Sequence, residues 1–285
     1  MLSRFKLKFG KTFLLKCDTY HSKQRIINQI EHFLIELIML IPPSELNLIW
    51  GLTCHGVLHV GAHMAEEAKQ YEKVNWGHVT WVECQPNLVK MLRENLDPKI
   101  HTVLEATVFD KNGVAFSLNV SNNSQSSSLL EFGTHKMDYP EIEITHKLEV
   151  ISTRLDSLLK DVPIGNFLNI DIQGVELRAL LGLGNLIEKI EYIYIEVNKN
   201  EVYINCDKFH EIETFLNTKG FFRLAVRWHW LQGWGDALYS RSKPHRSMFQ
   251  KTMWVVKNIQ FYKPQLKSII FHYLKSAFKI KRIFR

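Results

Sequence analysis

At 285 residues, the chain is long enough for one large domain, or for one domain with terminal extensions. Its hydrophobic residues (46%) and charged residues (23%) suffice for an ordinary globular core, which argues against wholesale disorder. The four cysteines form no CxxC pair, so a disulfide framework or a zinc site is disfavoured and a reducing, cytoplasmic location is expected.

The positive charge of the chain is concentrated at its two ends. The net charge is +7, and segments 1–25 and 261–285 each contain seven Lys or Arg residues, with Asp18 as their only acidic residue. Residues 26–260 contain 22 basic and 28 acidic residues. A body that grips nucleic acid is usually basic, so nucleic acid is disfavoured as a partner. We expect a basic N-terminal helical extension (1–50), a central domain (51–260) and a basic C-terminal tail (261–285).

The first predicted element is an amphipathic helix over Ile26–Leu40, which ends before Pro42-Pro43. Its apolar run Phe33–Pro42 is short and contains Glu36, whereas a membrane-spanning helix needs about 20 predominantly apolar residues. The run is therefore not expected to span a membrane.

Strand and helix patterns then alternate along the central domain. The β-type runs and the helical patterns are, in order, strand Val57–Val60, helix Met64–Tyr71, strand Val79–Val82, helix Pro86–Asn95, strand His101–Val108, strand Phe167–Asp171, helix Val175–Leu183, strand Tyr192–Val197, helix Phe209–Thr218 and strand Phe221–Val226. This alternation predicts an α/β domain with a parallel sheet that helices cover on both faces.

The segment Ser121–Ser128 (SNNSQSSS) interrupts this alternation, and Leu129–Pro140 continues it without clear periodicity. A polar segment of this kind can be a simple linker. A long loop inside a compact domain is more often a lid or a binding segment, and we favour that interpretation.

The last predicted element is a basic amphipathic helix in the C-terminal tail. One face carries Leu266, Ile269, Ile270, Tyr273, Leu274 and Phe278, and the flanks carry Lys267, Lys275, Lys279, Lys281 and Arg282. Such a helix is expected to lie peripherally at an anionic membrane surface. The alternative is a tail that folds back on the domain with its lysines in water.

The turn after the first central strand has the composition of a cofactor-binding turn. Small residues, Gly61 and Ala62, let a ligand approach the backbone, and the following helix offers free N–H groups. The next strand ends at Glu83, about 20 residues further on, where a carboxylate can accept both ribose hydroxyl protons. Because the turn lacks a full GxGxxG, the pattern favours an adenosine ligand without phosphates over NAD.

A third cluster of polar residues follows the strand Phe167–Asp171. Asp171 falls at the end of this strand, where doubly wound sheets bind their ligands. Gly174 permits a tight turn, and Glu176 lies in the first turn of the next helix, where the helix dipole favours a carboxylate. Glu176 is therefore either a helix cap or a functional residue.

Six strings occur in order between Val57 and Ser240: VLHVGAHMAEEAKQY, VTWVECQPN, NNSQSSSLLEFGTH, FLNIDIQGVEL, YIYIEVN and GWGDALY. Together they resemble the FkbM-type family of S-adenosylmethionine-dependent methyltransferases. The resemblance implies a Rossmann-like class I methyltransferase fold, a mostly parallel seven-stranded sheet with its last strand antiparallel and helices on both faces. It also implies S-adenosylmethionine as cofactor and O-methylation of a sugar or polyketide-like acceptor.

The resemblance also assigns residues to the cofactor. Gly61, Ala62 and His63 would line the methionine end, Glu83 would hold the ribose, and Ala106-Thr107 would lie near the adenine; Glu66, Cys84 and Asp171 complete the predicted cofactor site. Two positions depart from the family pattern, since many members have Asp where His59 stands and Gly where Ala65 stands. Glu66 or Glu67 could supply the missing acidic group.

For catalysis we predict that Asp171 takes the proton of the acceptor hydroxyl or positions the acceptor, with His63 as the second candidate base. The sulfonium makes its methyl group an electrophile, so the protein mainly has to align the acceptor oxygen behind it. The predicted substrate-binding residues are Ser126, Ser127, Ser128, His135, Gln173 and Glu176. No cluster of His, Asp and Glu at ligand spacing indicates a metal ion.

The sequence leaves three functions open. The first is an O-methyltransferase acting on a sugar, a glycolipid or a related small acceptor; Trp228, Trp230 and Trp234 could stack on a sugar, although core packing is their more common role. The second is an RNA methyltransferase, against which the acidic body counts. The third is a non-catalytic binding module with a degenerate site, as His59 and Ala65 permit.

Overall fold

A computed structural model describes residues 4–6, 12–14, 46, 50–228 and 233–242. The chain forms two compact units, one of residues 1–38 with 246–285 and one of residues 39–245. In the first unit, strands β1 (Arg4–Lys6) and β2 (Thr12–Leu14) pair antiparallel, with Phe5 opposite Phe13. The predicted helix Ile26–Leu40 and the amphipathic tail lie outside the described residues.

The second unit contains the α/β domain. Its strands are β3 (Gly56–Val60), β4 (His78–Glu83), β5 (His101–Glu105), β6 (Thr107–Val108), β7 (Ala115–Ser121), β8 (Ile144–Thr153), β9 (Phe167–Ile170), β10 (Tyr192–Asn198), β11 (Phe222–Trp228) and β12 (Trp234–Ser240). The α-helices whose bounds lie within the described residues are α1 (Ala68–Lys73), α2 (Pro86–Asn95), α3 (His135–Asp138), α4 (Leu155–Leu158), α5 (Glu176–Gly182) and α6 (Phe209–Thr218); Ser124–Ser126 and Gly184–Lys189 form short 3-10 helices. Within the described part of the chain, no helix is long and apolar enough to cross a bilayer.

Seven of these strands form one sheet in the order β11-β12-β10-β9-β3-β4-β5. The strands from β10 to β5 pair in parallel, whereas β12 runs antiparallel to both β10 and β11. This confirms the predicted Rossmann-like fold, including the antiparallel last strand.

Both faces of this sheet are buried, as a parallel sheet requires. Leu58 and Val60 of β3 point into an aliphatic core that α4, α5 and α6 also supply. His59 between them points to the opposite face, where its ring stacks on Trp81 at 4.7 Å between centroids. Tyr71 of α1 lies against the same rings. The alternation of side chains along β3 therefore places an aliphatic layer on one face and an aromatic layer on the other.

Two predicted elements are wrong at their ends. The helix predicted for Met64–Tyr71 begins only at Ala68, because His63 (φ 45°) and Ala65 (φ 56°) adopt the left-handed conformation, which a helix cannot continue through. The strand predicted for His101–Val108 divides at Ala106, whose N–H donates to the Glu83 carbonyl (3.0 Å). Beyond this point, β6 leaves the large sheet and pairs with β8.

A second sheet of three strands, in the order β6-β8-β7, was not predicted. Its two long strands, β7 and β8, form an antiparallel pair from Ala115 opposite Ile151 to Ser121 opposite Ile144. Much of β8 is exposed, so its sequence lacks the strict apolar alternation that marks a half-buried strand. This sheet carries the polar segment Ser121–Ser128 towards the carboxyl ends of the large sheet's parallel strands.

Candidate active site

The turn that follows β3 brings two neighbouring strand ends into close backbone contact. The N–H groups of Gly61 and Ala62 both donate to the carbonyl oxygen of Val82 (2.9 and 3.0 Å). Gly61 adopts φ +90°, and a methyl group on its Cα would lie 1.8 Å from the carbonyl oxygen of Asp171. Only glycine fits here, and the contact fixes the β3 turn against the β9 turn.

Glu83, at the end of β4, organises the loops around it. Its Oε2 accepts a hydrogen bond from the His63 N–H, and its Oε1 accepts from the N–H groups of Cys84 and Gln85, each at 2.9 Å. The side chain is buried. A carboxylate has about four acceptor positions, so Oε2 keeps one for a ligand hydroxyl. The predicted ribose-binding residue is thus also a structural support of the turn.

His63 is engaged on both sides of its ring. Its Nδ1 lies 2.7 Å from Glu66 Oε1, and its Nε2 lies 2.6 Å from Ser124 Oγ. The imidazole therefore connects the β3 turn with the polar segment after β7. A base needs a free ring nitrogen, so this geometry favours Asp171 over His63 for proton transfer.

His59, on β3, lies just before the turn that carries Gly61 and Ala62. Its ring is buried, and its Nδ1 lies 3.2 Å from the Tyr71 hydroxyl, which also accepts from Asn169 Nδ2 (2.9 Å). Burial lowers the pKa of His59 to about 4. The imidazole is therefore neutral at physiological pH and adds no positive charge below the site.

Two carboxylates meet at the ends of β9 and β10. In the parallel register Ile170 pairs with Ile195, so Asp171 and Glu196 follow at adjacent positions. The amide Nε2 of Gln173 donates to both Asp171 Oδ1 and Glu196 Oε2 (2.7 Å for the latter), and the Tyr203 hydroxyl donates to Gln173 Oε1. Burial, with the negative charges of Asp171 and Glu176, raises the pKa of Glu196 well above its usual range.

Glu176 was predicted to bind substrate, but the structure places its side chain outside the cavity lining. The side chain is fully buried and does not contribute to the cavity wall. Its Oε1 accepts from the N–H groups of Ile172 (3.2 Å) and Gly174 (2.9 Å), so Glu176 holds the turn that carries Asp171 and Gln173. Burial raises the pKa of Glu176 to about 8.

The segment after β7 forms a wall of the site rather than a plain linker. Ser128 Oγ donates to the carbonyl oxygen of Gln173 (2.7 Å), and residue 128 pairs with Asn119 of β7. His135 Nε2 lies 3.3 Å from Ser126 Oγ. The predicted binding segment is therefore hydrogen-bonded to the turn after β9.

These walls enclose a cavity of about 790 Å³ at the carboxyl ends of β3, β4, β9 and β10. Apart from Glu176, every residue predicted to bind cofactor or substrate lines it, namely Gly61, Ala62, His63, Glu66, Glu83, Cys84, Ala106, Thr107, Ser126, Ser127, Ser128, His135, Asp171 and Gln173. A cavity of this size accommodates a drug-sized ligand.

The cavity is strongly acidic. Seven carboxylates line it: Glu66, Glu67, Glu83, Glu141, Asp171, Glu196 and Asp236. Among the residues that the structure describes, no Lys or Arg lines it. Burial raises the pKa of Glu67 to about 7, which places its titration near physiological pH.

Several residues of the cavity were missed in the sequence analysis. Glu196, Tyr203 and Asp236 all line it. Strand alignment alone could have found Glu196, because it stands at the strand end adjacent to Asp171. Tyr203 lies in a loop with no recognisable signal. Of the three tryptophans, Trp234 lines the cavity, Trp228 packs on Phe209 (5.1 Å between centroids), and Trp230 lies outside the described residues.

The sequence shows no residues at metal-ligand spacing, but the fold brings three carboxylates close together. One carboxylate oxygen each from Asp171, Glu176 and Glu196 lies within 4.8 Å of the other two. These residues come from two strand ends and a helix start, so their proximity is a product of the fold.

Comparison with known proteins agrees with this geometry. The model of the methyltransferase FkbM domain matches residues 59–223. A search of curated proteins finds no match to the chain.

Among solved structures, one similar chain is the proposed RNA methyltransferase PH1948 from Pyrococcus horikoshii, with 13% identity over 71% of this chain and 81% of that one and a TM-score of 0.41. A SAM-dependent methyltransferase from Aquifex aeolicus has 15% identity over 76% of this chain and 96% of that one, with a TM-score of 0.37. Precorrin-6y C5,15-methyltransferase from Geobacter metallireducens has 11% identity over 69% of this chain and 86% of that one, with a TM-score of 0.39. At these identities and TM-scores, none of the three bears on the acceptor.

Proposed function

Since this chain belongs to the FkbM family of methyltransferases and uses S-adenosylmethionine, we propose that it O-methylates a hydroxyl of a sugar, a glycolipid or a related small acceptor. The acidic cavity carries this proposal. Seven carboxylates and, among the described residues, no Lys or Arg line it. Nucleic-acid sites neutralise phosphates with Lys and Arg, so a phosphate-rich acceptor would be repelled here.

A neutral polyol fits the same wall. Sugar hydroxyls donate hydrogen bonds to carboxylates and accept them from serine hydroxyls such as those of Ser126 and Ser127. Tyr139, Tyr203 and Trp234 supply aromatic surface on which the apolar face of a sugar ring can pack. The combination of acidic and aromatic residues supports a glycan acceptor over a nucleobase held by its phosphates.

For the cofactor we propose the arrangement that the family resemblance implies. Glu83 holds the ribose through the free acceptor position of its Oε2, residues 61–63 lie along the methionine portion, and Ala106-Thr107 lies near the adenine. The contacts of Glu83 with three backbone N–H groups support this assignment, because they fix the carboxylate before the ligand arrives.

In the proposed reaction, a lone pair of the acceptor oxygen forms a bond to the methyl carbon. The bond from that carbon to sulfur breaks, and its electron pair stays on the sulfur of the product S-adenosylhomocysteine. The hydroxyl proton passes to the carboxylate of Asp171. Gln173 Nε2 holds this carboxylate at the strand end, which supports its role as base.

The test is methyl transfer from radiolabelled S-adenosylmethionine to three acceptor pools: methyl glycosides, extracted glycolipids and total RNA. We expect label in a carbohydrate pool, with a methyl ether identified by mass spectrometry. Label confined to RNA would overturn the acceptor class. Failure of the folded protein to bind S-adenosylmethionine in calorimetry would instead favour a non-catalytic binding module.

A further inference from the structure

The carboxyl groups of Asp171, Glu176 and Glu196 form a compact cluster, of which Asp171 and Glu196 line the cavity and Glu176 is buried outside its lining. One oxygen of each lies within 4.8 Å of the other two. Glu176 and Glu196 are buried, whereas Asp171 is exposed on the cavity side. The cluster is thus enclosed by protein at its base and reached by solvent through Asp171.

Among the described residues, no Lys or Arg lines the cavity beside this cluster. Besides burial, the negative charges of Asp171, Glu176 and Asp236 raise the pKa of Glu196. Arg178, the first basic residue of α5, is paired with Asp207 instead. The Gln173 amide bridges Asp171 and Glu196 but carries no net charge. Neighbouring carboxylates repel one another. Either one of them holds a proton, or a cation lies between them and lets all of them stay ionised.

Two buried oxygen atoms beside the cluster have no hydrogen-bond partner among the described residues. The first is Glu176 Oε2; the Oε1 of the same carboxyl is held by two backbone N–H groups. The second is Oδ1 of the fully buried Asn198, whose Nδ2 lies 3.4 Å from Glu196 Oε1. A half-turn of this amide would bring its oxygen next to Glu196. Buried oxygens without partners are costly, and a bound cation would satisfy Glu176 Oε2 and, once the amide of Asn198 rotates, Asn198 Oδ1 as well.

We propose that Asp171, Glu176 and Glu196 bind one divalent cation of the Mg²⁺ or Mn²⁺ type. Three carboxylates in a small volume provide the hard oxygen ligands that these ions prefer. The ion neutralises the cluster, and Asn198 Oδ1 is positioned to join the coordination sphere after rotation of its amide. Binding also requires the Gln173 amide nitrogen to move away from the space between Asp171 and Glu196.

Because Asp171 faces the cavity, the ion has open coordination positions on the side of the acceptor. An acceptor hydroxyl bound there would be oriented by the ion, and its pKa would fall. The cation site does not depend on the identity of the acceptor, since its ligands belong to the protein.

The test measures Mn²⁺ binding to the full chain by electron paramagnetic resonance, with Mg²⁺ as competitor, in the absence of any acceptor. We expect one Mn²⁺ per chain, displaced by Mg²⁺. Glu196→Gln keeps the shape of the side chain and should weaken binding at least about tenfold. Glu141→Gln, which removes another carboxylate of the cavity wall outside the cluster, should leave Mn²⁺ affinity unchanged.

Glu176→Gln should also weaken Mn²⁺ binding. Since Glu176 supports the β9 turn, circular dichroism must first show that this variant has a native fold. Glu196→Gln and Glu196→Asp keep the test decisive if Glu176→Gln does not fold. No Mn²⁺ binding by the wild-type chain, or equal binding by Glu196→Gln, would overturn the proposal and mean that the cluster holds protons.

Terbium luminescence gives a second readout at the same place. Tyr203 donates to Gln173, which touches Asp171 and Glu196, so excitation of Tyr203 should sensitise Tb³⁺ bound at the cluster. The Tyr203→Phe variant should give a weaker signal while still binding Mn²⁺; Tyr139 and Trp234 also line the cavity and account for the remainder. Binding of Mn²⁺ without methylation of any carbohydrate would contradict the proposed acceptor alone, whereas carbohydrate methylation without cation binding would contradict the cation site alone.

Discussion

Asp171 combines exposure to the cavity with a fixed position, which is what a catalytic carboxylate needs. Asp171→Asn keeps the shape of the side chain but removes the negative charge. We expect kcat to fall by at least about a hundredfold, because the acceptor hydroxyl loses its proton acceptor. Affinity for S-adenosylmethionine should stay within about twofold by calorimetry. Unchanged turnover of the variant would remove Asp171 from the mechanism.

Glu83 is the residue on which we expect cofactor affinity to depend most. Glu83→Gln keeps most of the bulk but replaces a charged acceptor of ribose hydroxyls, and hydrogen bonds to charged groups contribute about 1.5–3 kcal/mol. Calorimetry should therefore show S-adenosylmethionine binding about 10- to 100-fold weaker. Glu94→Gln, on the exposed face of α2 beside Lys90, is the matched control and should bind as the wild type does. Equal affinity of both variants would contradict the assignment.

Glu67 gives cofactor binding a dependence on pH. Burial raises the pKa of this carboxyl to about 7, so it is neutral below that pH and becomes an anion above it. The cofactor carries a positive sulfonium, and its affinity should therefore rise between pH 6 and pH 8. Glu67→Gln should abolish the rise in a calorimetric titration at both pH values.

Glu66→Gln is the control for this titration. Although burial opposes the change, hydrogen bonds from a backbone N–H, His63 and Gln125 lower the pKa of Glu66. Glu66 therefore stays ionised from pH 6 to pH 8, and its loss should lower affinity equally at both. A persistent rise in the Glu67→Gln variant would assign the pH dependence to another group.

The junction between the β3 and β9 turns is the tightest backbone contact at the site. Gly61→Ala would place a methyl group 1.8 Å from the Asp171 carbonyl oxygen at a φ of +90°. We expect the free energy of unfolding to fall by about 3 kcal/mol or more, since both strain and overlap act. Urea denaturation measures it.

Gly113→Ala separates strain from overlap. Gly113 also has a positive φ (+76°), but a methyl group there would meet nothing within 4 Å. Its cost should be about 1 kcal/mol, the penalty of a left-handed alanine. A similar loss in both variants would mean that the β3 turn can move away from β9.

Elements with strong periodicity were predictable, and those whose conformation depends on neighbours were not. The helices α2 and α6 occur at their predicted bounds. The pair β7–β8 was missed because its polar, exposed faces give no alternation of apolar residues. The start of α1 was misplaced because nothing in the residue types of His63 and Ala65 announces a left-handed backbone.

The candidate site shows the same division. Gly61, Glu83 and Asp171 were found because each stands at a strand end, a place that the strand pattern defines. Glu196 stands in the equivalent place on β10 and was missed because its strand was not aligned with β9. The role of Glu176 as a backbone support could not be read from its position, since it depends on how the β9 turn folds back.

The buried acids should make the stability of the whole molecule depend on pH. Burial raises the pKa of Glu67 to about 7 and of Glu176 to about 8, and it raises the pKa of Glu196 well above its usual range. The folded chain therefore holds protons that the unfolded chain has released, and stability is lost as pH rises. His59 acts oppositely, but only between pH 4 and 6.5, because burial lowers its pKa to about 4.

Between pH 6.5 and pH 8, the free energy of unfolding should consequently fall, by up to ~1.4 kcal/mol per pH unit for each such acid. Urea denaturation in the presence of EDTA measures this slope without bound cations. Glu196→Gln should make it shallower, while Glu94→Gln should not change it. A flat profile for the wild type would mean that these carboxyls are ionised in the folded state.

The acidic lining of the cavity has a consequence for product release. Methyl transfer converts a cationic sulfonium into an uncharged thioether, so the ligand loses its positive charge while the acidic side chains that are ionised around the cavity keep theirs. The electrostatic attraction that holds the cofactor is therefore absent for the product. This enzyme should bind S-adenosylhomocysteine more weakly than S-adenosylmethionine and continue turning over as its product accumulates.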